Sequence, residues 1–196
     1  MTVMVAALYV EKGGAYYGLP DVEPWDEERD ARTYAGPHPV VAHPPCGRWC
    51  RTAGMVERVY GHRRGDDGGC FAAALAAVRR WGGVLEHPAH SEAWAAFGLP
   101  VPTWGGGWTQ SFMDCGLSAW VDQGWYGHPL QKQTWLYACH VDVASLTWGR
   151  GPGGKLKHRD NSMSEAERKR LTIPTPDAFR DVLLAMARSA SRTVAA

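Results

Sequence analysis

The chain has 196 residues, a length that suits one domain with a sizeable core. Its 21 Lys and Arg against 20 Asp and Glu leave a formal charge of +1, which argues neither for nor against a nucleic-acid partner, because a local basic patch suffices. No run of about 18 apolar residues exists to span a membrane, and no basic segment precedes an apolar N-terminal stretch, so a signal peptide is not expected and the cytoplasm is. The five cysteines, Cys46, Cys50, Cys70, Cys115 and Cys139, are odd in number and irregular in spacing, which reads as reduced thiols rather than a disulfide framework.

In chain order, Val3 to Val10 reads as a first buried strand, closed by the turn Gly13-Gly14. Asp26, after Glu23-Pro24-Trp25, caps a short helix running to about Tyr34, which Gly36-Pro37-His38-Pro39 breaks. Val40 to Ala42 is a short strand feeding His43-Pro44-Pro45-Cys46. Two prolines cannot continue a central strand, so Cys46 belongs on a stiff loop at a strand's end. Arg48 to Asp67 is polar and glycine-containing and reads as a mobile active-site loop, with Asp66-Asp67 solvated. Gly68 to Trp81 is the clearest helix, with Phe71, Leu75 and Val78 at helical spacing, ended by Gly82-Gly83. Val84-Leu85 is another strand, with Glu86 at its exit. Strand, helix, strand in this order is a parallel unit.

A short helix is expected over His90 to Gly98, loop over Pro100 to Gly107, and strands over Ala119–Gln123 and Thr134–Tyr137. Gly149 to Gly154 reads as a flexible connection. Thr175 as N-cap and Pro176 at the first position open a last helix to about Ala190, with Phe179, Val182, Leu183 and Met186 as its core face. No internal repeat is evident. Arg48, Arg51, Arg58, Arg63 and Arg64 cluster after the Cys46 loop, as a solvated surface or as a phosphate-contacting rim. Of the ten tryptophans most belong in a core, and some suit stacking on a base.

Cys46, Glu86 and the segment Gly127-His128-Pro129-Leu130-Gln131-Lys132-Gln133-Thr134 resemble, in order, the core of the DNA cytosine-5 methyltransferase family. Pro45-Cys46 is similar to the Pro-Cys carrying the family's nucleophile, and Leu85-Glu86-His87 to its Glu-Asn-Val. The 40 residues from Cys46 to Glu86 are close to the family's spacing. Lys132 stands where that family has an arginine, while Leu130 and Thr134 replace a glutamine and an arginine. Trp25-Asp26 followed by Tyr34 resembles the segment that closes over the cofactor's adenosine. The likeness is greatest to short phage-type proteins and spans roughly Leu8 to Tyr137.

The resemblance implies a Rossmann-like, mostly parallel α/β sheet in a single domain, residues 1–196. It implies DNA as partner and S-adenosylmethionine as cofactor, bound by Gly13, Gly14, Trp25, Asp26 and Pro45. Cys46 would attack carbon 6 of a cytosine, Glu86 would hold ring nitrogen 3, and Lys132 would assist. Arg48, Arg51, His87, His128 and Gln131 would lie toward the substrate. The chemistry demands such a pair. A pyrimidine is inert at carbon 5 until a thiolate adds at carbon 6, and a carboxylic acid sharing a proton with nitrogen 3 stabilises the adduct. The base must leave its stack to reach the pocket. A cation beside Cys46, Arg48 or Lys132, should lower its pKa.

The departures are equally specific. Only about eight residues separate Gly13-Gly14 from Val22-Glu23, too few for the family's cofactor helix. Too few follow Tyr137 for a separate target-recognition domain. A different base modification without S-adenosylmethionine, and a non-catalytic DNA-binding protein, are therefore the rival readings. His43, Cys46, Cys50 and His62 contain no Cys-x-x-Cys pair, so no metal is expected. Cys70, Cys115 and Cys139 read as structural, and His87 and His128 as braces for loops.

Overall fold

The computed structural model describes residues 3–154 and 164–190. It contains seven strands: β1 (Val5–Leu8), β2 (Val22–Trp25), β3 (Val40–Ala42), β4 (Gly83–Pro88), β5 (Trp108–Gln110), β6 (Leu117–Asp122) and β7 (Gln133–Cys139). Five helices join them: α1 (Ala53–Tyr60), α2 (Cys70–Trp81), α3 (Glu92–Ala96), α4 (Glu165–Thr172) and α5 (Asp177–Arg188). All seven strands lie in one sheet, in the order β2-β1-β3-β4-β7-β6-β5.

The fold is α/β, but the sheet is mixed. The pairs β1–β2, β1–β3 and β3–β4 are parallel, whereas β4–β7, β6–β7 and β5–β6 are antiparallel. The expectation of a mostly parallel sheet therefore holds only for the half around β1. Between β4 and β7 the one α-helix is the five-residue α3, too short for a parallel crossover, and β5, β6 and β7 follow one another as antiparallel neighbours with β7 returning beside β4.

Every residue of β1 and β3 is buried, as interior strands covered on both faces require. Alternation sends Ala6, Leu8, Val40, Ala42 and Leu85 to one face, against Phe71, Ala74, Leu75 and Val78 of α2. It sends Val5, Ala7, Val41 and Val84 to the other, against Phe179, Leu183, Met186 and Ala187 of α5. The result is three layers. β2 is an edge strand, which is where Pro24 is tolerated. Gly83 is obligatory where α2 hands over to β4, because a Cβ there would sit 1.9 Å from the Val40 carbonyl oxygen and φ is +137°. No helix among the described residues is long and apolar enough to cross a membrane.

Several expectations need correcting. The stretch Arg48–Asp67 is not all loop, since α1 occupies Ala53–Tyr60. Asp67 is an anchor rather than a solvated residue: it accepts from Trp49 Nε1 and from the Gly69 and Phe71 amides, tying the loop to the start of α2. The last helix begins at Asp177 with Pro176 as its N-cap residue and no side-chain cap, so Thr175 does not cap it. Cys115 and Cys139 are joined by a disulfide, while Cys46, Cys50 and Cys70 are free. Asp26 does cap as expected, its Oδ1 accepting from the Glu28 and Arg29 amides, but the following turns are two short 3-10 helices, Glu27–Arg29 and Ala31–Thr33.

Candidate active site

β1 lies between β2 and β3, so the chain leaves it toward both sides. Such a switch point opens a crevice at the strands' carboxyl ends. A cavity of about 690 Å³ lies there. Its walls come from the end of β1 and the turn after it (Tyr9–Glu11, Gly14, Tyr16), the end of β3 (His43–Cys46), and the end of β4 (Glu86). The start of β7 (Lys132, Gln133) and the segment Thr172–Thr175 complete it. The antiparallel β7 brings its N-terminal end beside the C-terminal end of β4, which is how Lys132 reaches Glu86.

The structure thus gathers Gly14, Pro45, Cys46, Glu86 and Lys132 on one cavity. Gly13, Trp25, Asp26, Arg48, Arg51, His87, His128 and Gln131 do not line it. Trp25 packs edge-on against Tyr34 and under the Arg29 guanidinium. Asp26 accepts the Tyr17 hydroxyl besides its cap. Arg48 and Arg51 precede α1, the first half-buried and the second exposed. Gln131 donates its amide to the Gly151 carbonyl, and His128 Nδ1 is tied to the Leu130 backbone, so both brace the loop before β7.

His87 is one residue from Glu86 on a strand and therefore points to the opposite face. It is buried against Phe71 and Trp94, and that burial lowers its pKa to about 4. It is a neutral core residue rather than a substrate contact.

Four residues given no role at this site by the sequence expectation, Tyr16, His43, Gln123 and Thr134, complete the centre. The Glu86 carboxylate is only 7% exposed and is held on both oxygens. Oε1 accepts from Gln123 Nε2 at 3.0 Å and Thr134 Oγ1 at 3.2 Å, and Oε2 faces His43 Nδ1 at 3.0 Å. Burial alone would raise the Glu86 pKa, but the hydrogen bond and charge of His43, with Lys132, hold it at about 2. Glu86 is thus ionised. An ionised Oε2 places an imidazole proton on Nδ1, and Nε2 stands 2.8 Å from the Tyr16 hydroxyl, from which it accepts when the ring is neutral. Tyr16–His43–Glu86 forms a hydroxyl–imidazole–carboxylate chain whose three members all border the cavity. The Tyr16 hydroxyl stays protonated, its pKa raised by burial and by Glu86.

Burial raises the Cys46 pKa, with Cys50 and Glu86 adding to the effect, while Lys132 opposes it. The expected lowering by a neighbouring cation is therefore outweighed: Cys46 rests as a thiol because desolvation disfavours the thiolate more than one ammonium favours it. Lys132 is itself lowered by burial, and its Nζ donates to the Ile173 and Pro174 carbonyls at 2.8 and 3.2 Å. It ties the 172–175 segment across the cavity.

The missed members gave little signal. Tyr16 sits in an unpatterned turn 27 residues from His43, and Gln123 is 37 residues from Glu86, so only the fold brings them together. Comparison of the chain with protein-family models, with curated proteins and with solved structures finds no match in any of the three.

Proposed function

We propose that this protein is a DNA-modifying enzyme that uses Cys46 to activate carbon 5 of a pyrimidine, cytosine by preference, in a reduced methyltransferase-like core with a Rossmann-like parallel half. The observation that carries the reading is the convergence of Cys46, Glu86, Lys132 and the Tyr16–His43 pair on one cavity at the switch point. A volume of about 690 Å³ has room for a flipped base and a small donor.

In this reading the Cys46 thiol gives its proton to solvent water and the thiolate sulfur bonds to carbon 6. The ring electron pair moves to carbon 5, which bonds to an electrophilic one-carbon group as the rest of its donor departs with the electron pair of the broken bond. The proton on carbon 5 then leaves to Tyr16 as the phenol's own proton passes to His43 Nε2, and the adjacent Glu86 carboxylate stabilises the imidazolium. Sulfur departs with the carbon–sulfur electron pair and the ring regains its aromaticity. Lys132 balances the negative charge that forms beside Cys46 and Glu86. Glu86 acts here through His43 rather than by holding ring nitrogen 3, since both its oxygens are engaged.

S-adenosylmethionine would supply an electrophilic methyl group. The residues matched to its adenosine do not fit that role: Trp25 and Asp26 are turned into their own contacts and only Gly14 of the glycine pair borders the cavity. That misfit favours, as a second reading, the same base chemistry with a different one-carbon donor. Mass spectrometry of nucleosides from DNA of cells expressing the protein tests the proposal. A modified pyrimidine that disappears with Cys46→Ala supports it, and unmodified DNA overturns it. Calorimetric binding of S-adenosylmethionine separates the two donors.

A further inference from the structure

Apart from the Cys46 cavity, the chain carries a second chemical cluster at the other end of the sheet. Cys139 closes β7 and pairs with Gly83, the first residue of β4, whereas the cavity borders the carboxyl end of β4. Cys115 lies just before β6, and His140 follows Cys139. The sulfur atoms of Cys115 and Cys139 and a ring nitrogen of His140 lie within 4.8 Å of one another, the one such convergence of potential ligand atoms among the described residues. The set His43, Cys46, Cys50 and His62 does not converge in this way.

We propose that Cys115, Cys139 and His140 bind a tetrahedral, thiolate-seeking divalent cation, Zn²⁺ by preference, when their disulfide is reduced. Two thiolates and an imidazole are the ligands this cation takes. Cys115 Sγ stands 3.4 Å from His140 Nε2. Two ligands at Zn–S and Zn–N distances across a tetrahedral angle stand roughly 3.6 Å apart, so the Cys115–His140 pair already has the required span, and the two sulfurs reach theirs once reduction frees them to separate to roughly 3.8 Å.

The surroundings hold the ligands in place. Asp114 accepts from the Gly116 amide at 2.8 Å, from the Tyr137 hydroxyl at 2.7 Å, and pairs with Arg79 at 2.5 Å, which fixes the backbone on both sides of Cys115. His140 has φ +55°, a left-handed conformation uncommon for a non-glycine residue; such residues concentrate at sites the surrounding structure dictates. Cys139 is buried while Cys115 and His140 are exposed, so the fourth coordination position faces solvent and takes water.

The disulfide and the metal are mutually exclusive states of one pair of sulfurs. A phosphine reductant breaks the S–S bond: phosphorus is oxidised to the phosphine oxide with oxygen from water, and two thiols form. Zn²⁺ then displaces both thiol protons to the buffer and forms two S–Zn bonds. Either state ties the start of β6 to the end of β7, and the metal form adds stability by mass action. The site lies apart from Cys46, and the proposal stands independently of the base chemistry.

The full chain is reduced with a phosphine, desalted, and titrated with Co²⁺ as a spectroscopic stand-in and with Zn²⁺. Reduced wild-type protein is expected to show a thiolate-to-cobalt charge-transfer band, to keep a single Zn²⁺ through desalting and to gain thermal stability on binding it. The Cys46→Ala/Cys50→Ala/Cys70→Ala variant should behave likewise. Oxidised protein and Cys115→Ser should lose the band, and His140→Gln should weaken Zn²⁺ by about tenfold or more. His140 and Cys115 are exposed, so both variants fold, which circular dichroism verifies. The absence of the band in reduced wild-type protein would overturn the site, as would a band that survives Cys115→Ser unchanged.

Discussion

The two walls of the central cavity differ in how they are built. The wall from β3, β4 and β7 carries the Glu86 carboxylate, held on both oxygens by Gln123, Thr134 and His43. The wall from the β1–β2 connection contributes one group to that network, the Tyr16 hydroxyl beside His43, while Trp25 and Asp26 lie off the cavity in a local brace with Tyr34, Tyr17 and Arg29. A buried carboxylate is costly unless paired, so the partners gathered on Glu86 single out this network as the candidate for chemistry. The brace around Trp25 and Asp26 makes only local contacts and supports the fold.

Substitutions in the Glu86 network and in the Trp25–Asp26 brace should therefore separate activity from stability. Cys46→Ala should remove all base modification while leaving the far-ultraviolet circular dichroism unchanged. Tyr16→Phe and Glu86→Gln should each lower turnover by roughly 10²- to 10⁴-fold, the range general acid–base groups contribute. Tyr16→Phe should leave adduct formation by Cys46 in place, because sulfur addition precedes the proton's departure. A Tyr16→Phe enzyme with wild-type turnover would remove the relay from the account.

The pH dependence follows from the same wall and its core side. Glu86 is held at about 2 against an ordinary 4.5, so its contribution of about 3 kcal/mol is fully present above pH 4.5 and is lost as pH falls toward 2. His87 is depressed from 6.5 to about 4, so the unfolded chain binds its proton first and stability declines as pH falls from 6.5 toward 4. Chemical denaturation at stepped pH should show this earlier limb, and His87→Gln should flatten it. A limb unchanged in that variant would assign it elsewhere.

The reactivity of Cys46 gives a finer test. Glu86 raises its pKa and Lys132 lowers it, so Glu86→Gln should speed alkylation near neutral pH and Lys132→Met should slow it. Equal rates in the two variants would contradict the charges assigned to the cavity. The smallest effect belongs to the brace outside the cavity. Asp26→Ala removes the cap of the first 3-10 helix and the Tyr17 contact, and should lower the melting temperature by a few degrees with turnover unchanged.

What could be read from sequence was what depends on neighbours in the chain. Val40–Ala42 matched its strand because two prolines fix where it stops, and α2 matched because its apolar spacing and the following Gly82-Gly83 are local signals. β2 was missed because Pro24 and Glu23 obscure a strand tolerated only at an edge, and α1 because few of its side chains are buried. The site was half legible for the same reason. Cys46, Glu86 and Lys132 stand in patterned segments, whereas Tyr16, Gln123 and Thr134 acquire meaning only through contacts made by the folded sheet. The Cys115–Cys139 pair, 24 residues apart, is likewise a product of strand register rather than of spacing.

Covalent trapping on DNA containing 5-fluorocytosine, where fluorine blocks the final elimination, tests Cys46 as the nucleophile most directly. Intact-mass analysis should show a protein–DNA adduct attached through the peptide bearing Cys46, and Cys46→Ala should show none. No adduct with the wild-type protein, or an adduct that persists in Cys46→Ala, would contradict the account.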